Sequence, residues 1–218
     1  MKHVENYKYK IKLSKKEKSL LDNEIFLYNQ AYNITISTLK NDIKTYHKVV
    51  SGNVPYKKTN IKPIIFKKIN KSDKEIDIII KNNLRLRNLY IHSDTLQGAR
   101  LTAKKAFWAK YSIKNRGEAN YKKSSEISGS FSWANSRIKI EEKNDKKYFT
   151  LSKKLKNFNI LWDRDFNGKI KSVRIKREVT GYYLVLAIDF GEIQEFRPEK
   201  NKEYIRKSKK NILRLKIC

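Results

Sequence analysis

Cysteine is almost missing from this chain. Cys218 stands alone, so disulfides within the chain and cysteine-based zinc ribbons are both excluded. Histidine is nearly as scarce, and His3, His47 and His92 share no ligand spacing, so no metal site and no cofactor is indicated. Acid is short relative to base: 22 Asp and Glu face 51 Lys and Arg, a formal charge of +29. Such an imbalance carries self-repulsion that a polyanionic partner offsets, and nucleic acid is the expected one. No apolar run approaches the roughly 18 residues of a membrane span, and Met1-Lys2-His3 opens no secretory signal. The expected location is therefore cytoplasmic, at the nucleoid, with no membrane partner. A chain of 218 residues can bury a real core, as one large domain or two modest ones.

The stretch from Gly168 to Gly191 has the most definite local pattern. Ile170, Val173 and Ile175 alternate with Lys169, Lys171, Arg174, Lys176 and Arg177, and Tyr182 to Ile188 follows as an unbroken β-prone run. This predicts two strands joined through Thr180-Gly181. The first is suited to a polyanion; the second, with almost no charge before Asp189, reads as buried on both faces.

Earlier in the chain, Tyr7 to Leu13 alternates ring or aliphatic residues with lysine, a half-buried basic strand ending at Ser14. Ser14 and Glu17 form a capping-box pattern, and Leu21, Ile25, Tyr28, Tyr32, Leu39 and Ile43 make one apolar stripe. The spacing predicts a helix of about seven turns, broken once. In its second half the β-branched Ile34, Thr35, Ile36 and Thr38 leave strand as an alternative. Ser51 to Pro63, with Gly52, Pro55, Lys57, Lys58 and Lys62, reads as a basic loop. A second helix is predicted over Ser72 to Tyr90, with a Ser72/Glu75 capping box and Ile76, Ile79, Ile80 and Leu84 inward. A third, Ile91 to Tyr111, sets Leu96, Ala99, Ala103, Ala106 and Phe107 against Arg100, Lys104, Lys105 and Lys110. Gly98 lies within it at a cost of about 1 kcal/mol relative to alanine, which a close approach to another helix or a nucleic-acid strand would justify.

After Gly117 the period changes to two. Strands are predicted at Ser130 to Ala134, Ser136 to Glu142, Lys147 to Leu151 and Asn159 to Asp163, with turn signals at Asn144-Asp145 and Asn167-Gly168. Together with the first strand and the closing hairpin this gives an α+β chain: a small antiparallel, OB-like β-barrel carrying an inserted helical domain. Residues 1–13 supply the barrel's first strand, 14–118 the helical domain, 119–196 the rest of the barrel and 197–218 a basic tail.

The order of a basic first strand, FLYNQAY (Phe26 to Tyr32), DTLQGARLTAKKAFW (Asp94 to Trp108), ANYKKSS (Ala119 to Ser125) and IKSVRIKREVTGYYLVLAI (Ile170 to Ile188) resembles TnpB, also called OrfB. That is a family of transposon-encoded, RNA-guided DNA endonucleases related to type V CRISPR effectors and widely called transposases of insertion sequences. The resemblance covers about residues 5 to 195 and implies a wedge-type barrel with an inserted recognition domain. It also implies guide RNA and a short duplex DNA motif as partners. The family has Pro and Phe where Ala119 and Tyr121 stand. Its barrel precedes a nuclease domain with three separated carboxylates. Here Ile188-Asp189-Phe190-Gly191 echoes the first of these, but one aspartate cannot hold two metal ions about 3.5 to 4 Å apart. The expectation is a truncated, non-cleaving TnpB-like binder with no catalytic residue. The alternatives are one piece of a split or frameshifted active nuclease, completed by a separate nuclease-domain polypeptide, and a stand-alone basic RNA-binding barrel.

The resemblance aligns Gln97 with a glutamine that reads a duplex motif, and an amide can bond an adenine edge; equally, Asp94 and Gln97 have the spacing of a helix-capping pair. Tyr56 and Asn60, with Lys57 and Lys58, fall in the basic loop at positions similar to family residues on the same duplex. Arg100 and Lys104 on the same helix, and Lys122 and Lys123 in the ANYKKSS loop, join the candidate contacts. Lys171, Arg174, Lys176 and Arg177 are the strongest candidates for phosphate, since a strand can present them without base-specific geometry. Trp108, Trp133 and Trp162 suit either core packing or base stacking.

Overall fold

The alternation in the first strand and the apolar runs of the closing hairpin meet in one sheet. The structure, a computed structural model, describes residues 2–51, 71–113, 115–123, 128–134 and 138–192. Along the chain run β1 (Lys2–Lys12), α1 (Lys15–Ser51), α2 (Asp73–Arg85), α3 (Ser93–Ser112), β2 (Gly129–Trp133), β3 (Lys139–Lys143), β4 (Lys146–Thr150), β5 (Phe158–Leu161), β6 (Lys169–Glu178) and β7 (Gly181–Glu192). The class is α+β, and the strands form one antiparallel sheet in the order β2-β6-β7-β1-β5-β4-β3.

That order puts the first strand in the middle. β1 pairs with β7 from Lys2↔Glu192 to Ile11↔Tyr182, and with β5 from Lys10↔Leu161 to Lys12↔Asn159. The expected pairing of the first strand with strands beyond Ser130 is thus present. Closure is not: among the described residues β2 and β3 each have one partner strand, so the sheet is open where a closed barrel was expected. Alternation specifies which face of a strand is buried, but closure depends on strand tilt and stagger that no single strand encodes.

Both predicted capping boxes form. The Ser14 and Ser72 backbone N–H groups donate to Glu17 and Glu75, and each glutamate's own N–H donates back to the serine hydroxyl. α1 continues unbroken for 37 residues, about ten turns. Its β-branched segment stays helical because Thr35 and Ile36 are fully buried against the core, while the Thr35 and Thr38 hydroxyls are satisfied by donating to the Ala31 and Ile34 carbonyls. α2 stops at Arg85, short of the predicted Tyr90. Asn88 there adopts φ 55°, and the Leu89 N–H turns back to the Leu84 carbonyl. α3 begins at Ser93 with His92 as its cap, whose Nδ1 accepts from the Asp94 N–H at 3.2 Å. Asp94 and Gln97 are therefore not the capping pair.

In the sheet, Asn144 and Asp145 form the predicted β3–β4 turn, both in the left-handed region. The β6–β7 turn is Val179-Thr180, one residue earlier than expected, with Gly181 already paired to Glu178. Tyr9, Ile11, Phe131, Trp133, Phe149, Phe158, Ile160, Val173, Ile175, Leu184, Leu186 and Ile188 join the buried residues of all three helices in one hydrophobic cluster. β7 is buried on this face but only half-buried on the other, so it is not enclosed on both sides.

Gly98 meets a strand, not a helix or a nucleic acid. A Cβ there would lie 2.1 Å from the Ser132 carbonyl oxygen, and the Ala134 N–H donates to the Asp94 carbonyl. α3 thus covers the outer edge of β2, which would otherwise present unpaired backbone groups. Gly98→Ala should destabilise the protein by about 1–3 kcal/mol even though alanine favours helix, because backbone must move to admit the methyl. Urea denaturation followed by circular dichroism measures this; a gain in stability would contradict the packing.

Candidate nucleic-acid interface

β1, β7 and β6 lie side by side, and the register aligns their outward residues in rows. Arg174, Val185 and Lys8 form one row; Lys176, Tyr183 and Lys10 form the next. Adjacent strands sit about 4.8 Å apart, so the flanking cations of each row are about 10 Å apart across β7. Glu178 organises this face, accepting from Lys8 at 2.8 Å and Lys176 at 2.7 Å. Those two ammonium groups, Lys176 first, hold its carboxyl below the usual range. The Lys8 ammonium also lies 4.0 Å from the Tyr183 ring centroid. Among the described residues Lys10 and Arg174 are exposed and have no carboxylate partner.

Beside this face is a cleft of ≈ 530 Å³ lined by Asn29, Lys122, Lys123, Ser130, Lys176 and Arg177, among others. It brings together two predicted basic clusters, the ANYKKSS loop and β6, from distant parts of the sequence. Asn33 on α1 pins the loop: its amide oxygen accepts from the Lys122 N–H at 2.7 Å and its amide nitrogen donates to the Lys122 carbonyl at 2.8 Å. The Lys122 ammonium lies over the Tyr28 and Tyr32 rings. Burial, and secondarily the charge of Arg174, pushes Lys122 down to about 8.

The other candidates are placed differently. Lys171 is exposed but paired with Asp189 at 2.8 Å. Arg177 is turned inward, its guanidinium donating to Asp22 of α1 at 2.5 Å, so it is not the solvent-facing cation that was expected. The cause is register: Arg177 shares the face of Val173 and Ile175, and a shift between Ile170 and Ser172 breaks the simple alternation. On α3, Arg100 is 5% exposed and paired with Asp73 and Asp77 of α2, while Lys104 pairs with Asp73. These two cations fasten α2 to α3, and with them nearby the Asp73 carboxyl stays below its usual range, Lys104 contributing most. Gln97 is exposed on α3. Tyr56, Lys57, Lys58 and Asn60 lie outside the described residues.

Trp133 is buried and stacks on His92, and Trp162 stacks on Tyr9 at 4.3 Å between ring centroids. Trp108 packs edge-on to Phe107. All three therefore serve packing. Asp189 sits near the end of β7, where its carboxylate accepts from the Gly191 N–H at 2.9 Å and pairs with Lys171. Among the described residues no group of three or more His, Cys, Asp and Glu could hold a metal ion, and no helix is long and apolar enough to cross a membrane. Lys8, Lys10, Tyr183 and Asn33 were not singled out from sequence. The YKYKIKL alternation marked the lysines as outward, but only the pairing of β1 with β7 shows that they share a face with β6.

No protein-family model and no curated protein sequence matches the chain.

Asp22 also accepts from the Tyr182 hydroxyl at 2.5 Å, so one carboxylate docks α1 on both strands of the closing hairpin. Asp22→Ala should cost about 1–3 kcal/mol by removing the acceptor that the Arg177 guanidinium and the Tyr182 hydroxyl share. Burial, reinforced by the bond to Asp22, pushes the Tyr182 phenol up to about 12. A raised folded value means stability that is fully present below the unfolded tyrosine value of about 10 and is lost as pH rises through about 12. The urea midpoint of the native chain should therefore fall across that window more than that of Tyr182→Phe; equal slopes would contradict the assignment.

Proposed function

We propose that this chain is a nucleic-acid-binding protein of the TnpB-like kind, holding RNA chiefly through phosphate and duplex DNA more weakly until an RNA is in place. The observation that carries this reading is the convergence of Lys8, Lys10, Arg174 and Lys176 on one sheet face, beside a cleft lined by Lys122 and Lys123. Long cationic stems on a fixed sheet suit a backbone whose phosphates recur whatever the sequence. Strand order supports the TnpB-like part, since the first strand joins the later ones across a helical segment, as the resemblance implies. Guide RNA is the primary partner and a short duplex the secondary one, with exposed Gln97 the candidate for reading a base edge. Asp189 has a structural role, because Lys171 and the Gly191 N–H engage its carboxylate. It takes no part in cleavage.

Filter binding of a structured RNA across a salt series tests this directly. Each phosphate contact contributes about 0.7–0.9 to the slope of log affinity against log salt, so changing Lys8, Lys10, Arg174 and Lys176 together to alanine should flatten it by about 3 units. Circular dichroism should show the fold retained, since all four are exposed. An unchanged slope would mean that the face is merely solvated. With Mg²⁺ added the protein should leave duplex DNA intact, and cleavage abolished by Asp189→Ala would overturn the structural role of that residue.

A further inference from the structure

Lys122 is held from two sides, by its backbone and by its ammonium. Both backbone polar groups are clamped by the Asn33 amide, and its ammonium rests 4.4 Å from the Tyr28 ring centroid and 4.8 Å from that of Tyr32. The neighbouring cations already have acids: Arg177 has Asp22, and Lys176 has Glu178. Among the described residues Lys122 has no carboxylate partner. Ring faces orient an ammonium but do not neutralise it, so a largely desolvated positive charge is fixed at the wall of an open cleft.

We propose that this cleft seats one phosphodiester of a single nucleic-acid strand, with Lys122 and Lys123 on one side and Lys176 on the other. The inference rests on the nucleic-acid reading above and deepens it: the sheet face gives diffuse attraction, whereas the cleft fixes one phosphate in position. A phosphate arriving there would supply the anion that Lys122 lacks and hold its proton in place. The groups facing Lys122 are Tyr28 and Tyr32 from α1, Lys123 beside it, and Arg174, Lys176, Arg177 and Glu178 from β6. Burial raises the Tyr32 phenol above its ordinary value. Lys122, pushed down to about 8, loses its proton as pH rises through that value, and the seat weakens with it.

The test is fluorescence anisotropy with a short labelled oligocytidylate, whose bases do not titrate in this range, at about pH 7 and about pH 9, where roughly a tenth of a group with a pKa near 8 remains protonated. Affinity of the unaltered protein should fall up to about tenfold between the two. Lys122→Arg, which keeps its charge throughout, should bind as the unaltered protein does at the lower pH and show no fall. Lys122→Ala should bind about tenfold more weakly at the lower pH, the loss expected of one charge-assisted contact, and show no fall either. A residue with a packing role alone would not be rescued by arginine with loss of the pH response. Unaltered binding by Lys122→Ala, or no fall with pH in the native chain, would overturn the seat while leaving the sheet-face reading to its own salt test. Failure of the native protein to bind the oligonucleotide at either pH would overturn both.

Discussion

One strand makes this sheet a single sheet. Among the described residues β2, β6 and β7 form one run of neighbours and β5, β4 and β3 another, and β1 pairs with the inner member of each. Its inward residues, Tyr9 and Ile11, are buried at 0% and 4% exposure, and the Tyr9 hydroxyl reaches the Arg164 carbonyl while its ring stacks on Trp162. Without β1 two three-stranded pieces would each expose an edge, the long β7 and the short β5, and Tyr9 would leave a gap in the cluster that spans both. Because β1 precedes the helices and its partners follow them, this pairing is long-range, and the helical segment is held at both ends by the sheet.

The same strand completes the basic face. β6 alone presents a single line of cations; β1 adds a second beyond β7, and Glu178 ties Lys8 to Lys176 across the gap. A lone carboxylate between two lysines preserves net positive charge while keeping both side chains on that face. The helices contribute otherwise. Arg100 and Lys104 pair with Asp73 and Asp77 of α2, and Asn33, Tyr28 and Tyr32 hold Lys122 at the cleft. Positive charge is thus divided between residues that bind the protein together and residues left facing outward, a division that net charge alone does not reveal.

Local signals were legible where the responsible groups lie within a few residues of each other. Ser14/Glu17 and Ser72/Glu75 identified helix starts, Asn144-Asp145 a hairpin turn, and Lys8 and Lys10 an outward strand face. Even the irregularity in β6 left a trace: Ile170, Val173 and Ile175 are spaced three and then two apart, matching the register shift between Ile170 and Ser172. Arg100 and Arg174 look alike in sequence, yet Arg100 is buried against Asp73 and Asp77 of another helix, whereas Arg174 is exposed. Arg177 looked like a surface cation because its acid, Asp22, is far away in the chain. Gly98 signalled a close approach without indicating that β2 would make it. Strand order and the open sheet depend on pairings between distant segments, and those no local pattern specifies.

Native-state hydrogen exchange tests the central role of β1 most directly. If β1 unites the sheet, the amides of Tyr9 and Ile11 should open with the same free energy as those of Leu184 in β7 and Ile160 in β5, as one cooperative unit. Exchange of the β1 amides many times faster than those of β5 and β7, with the latter two still protected, would show that the sheet stands without its first strand and contradict the account.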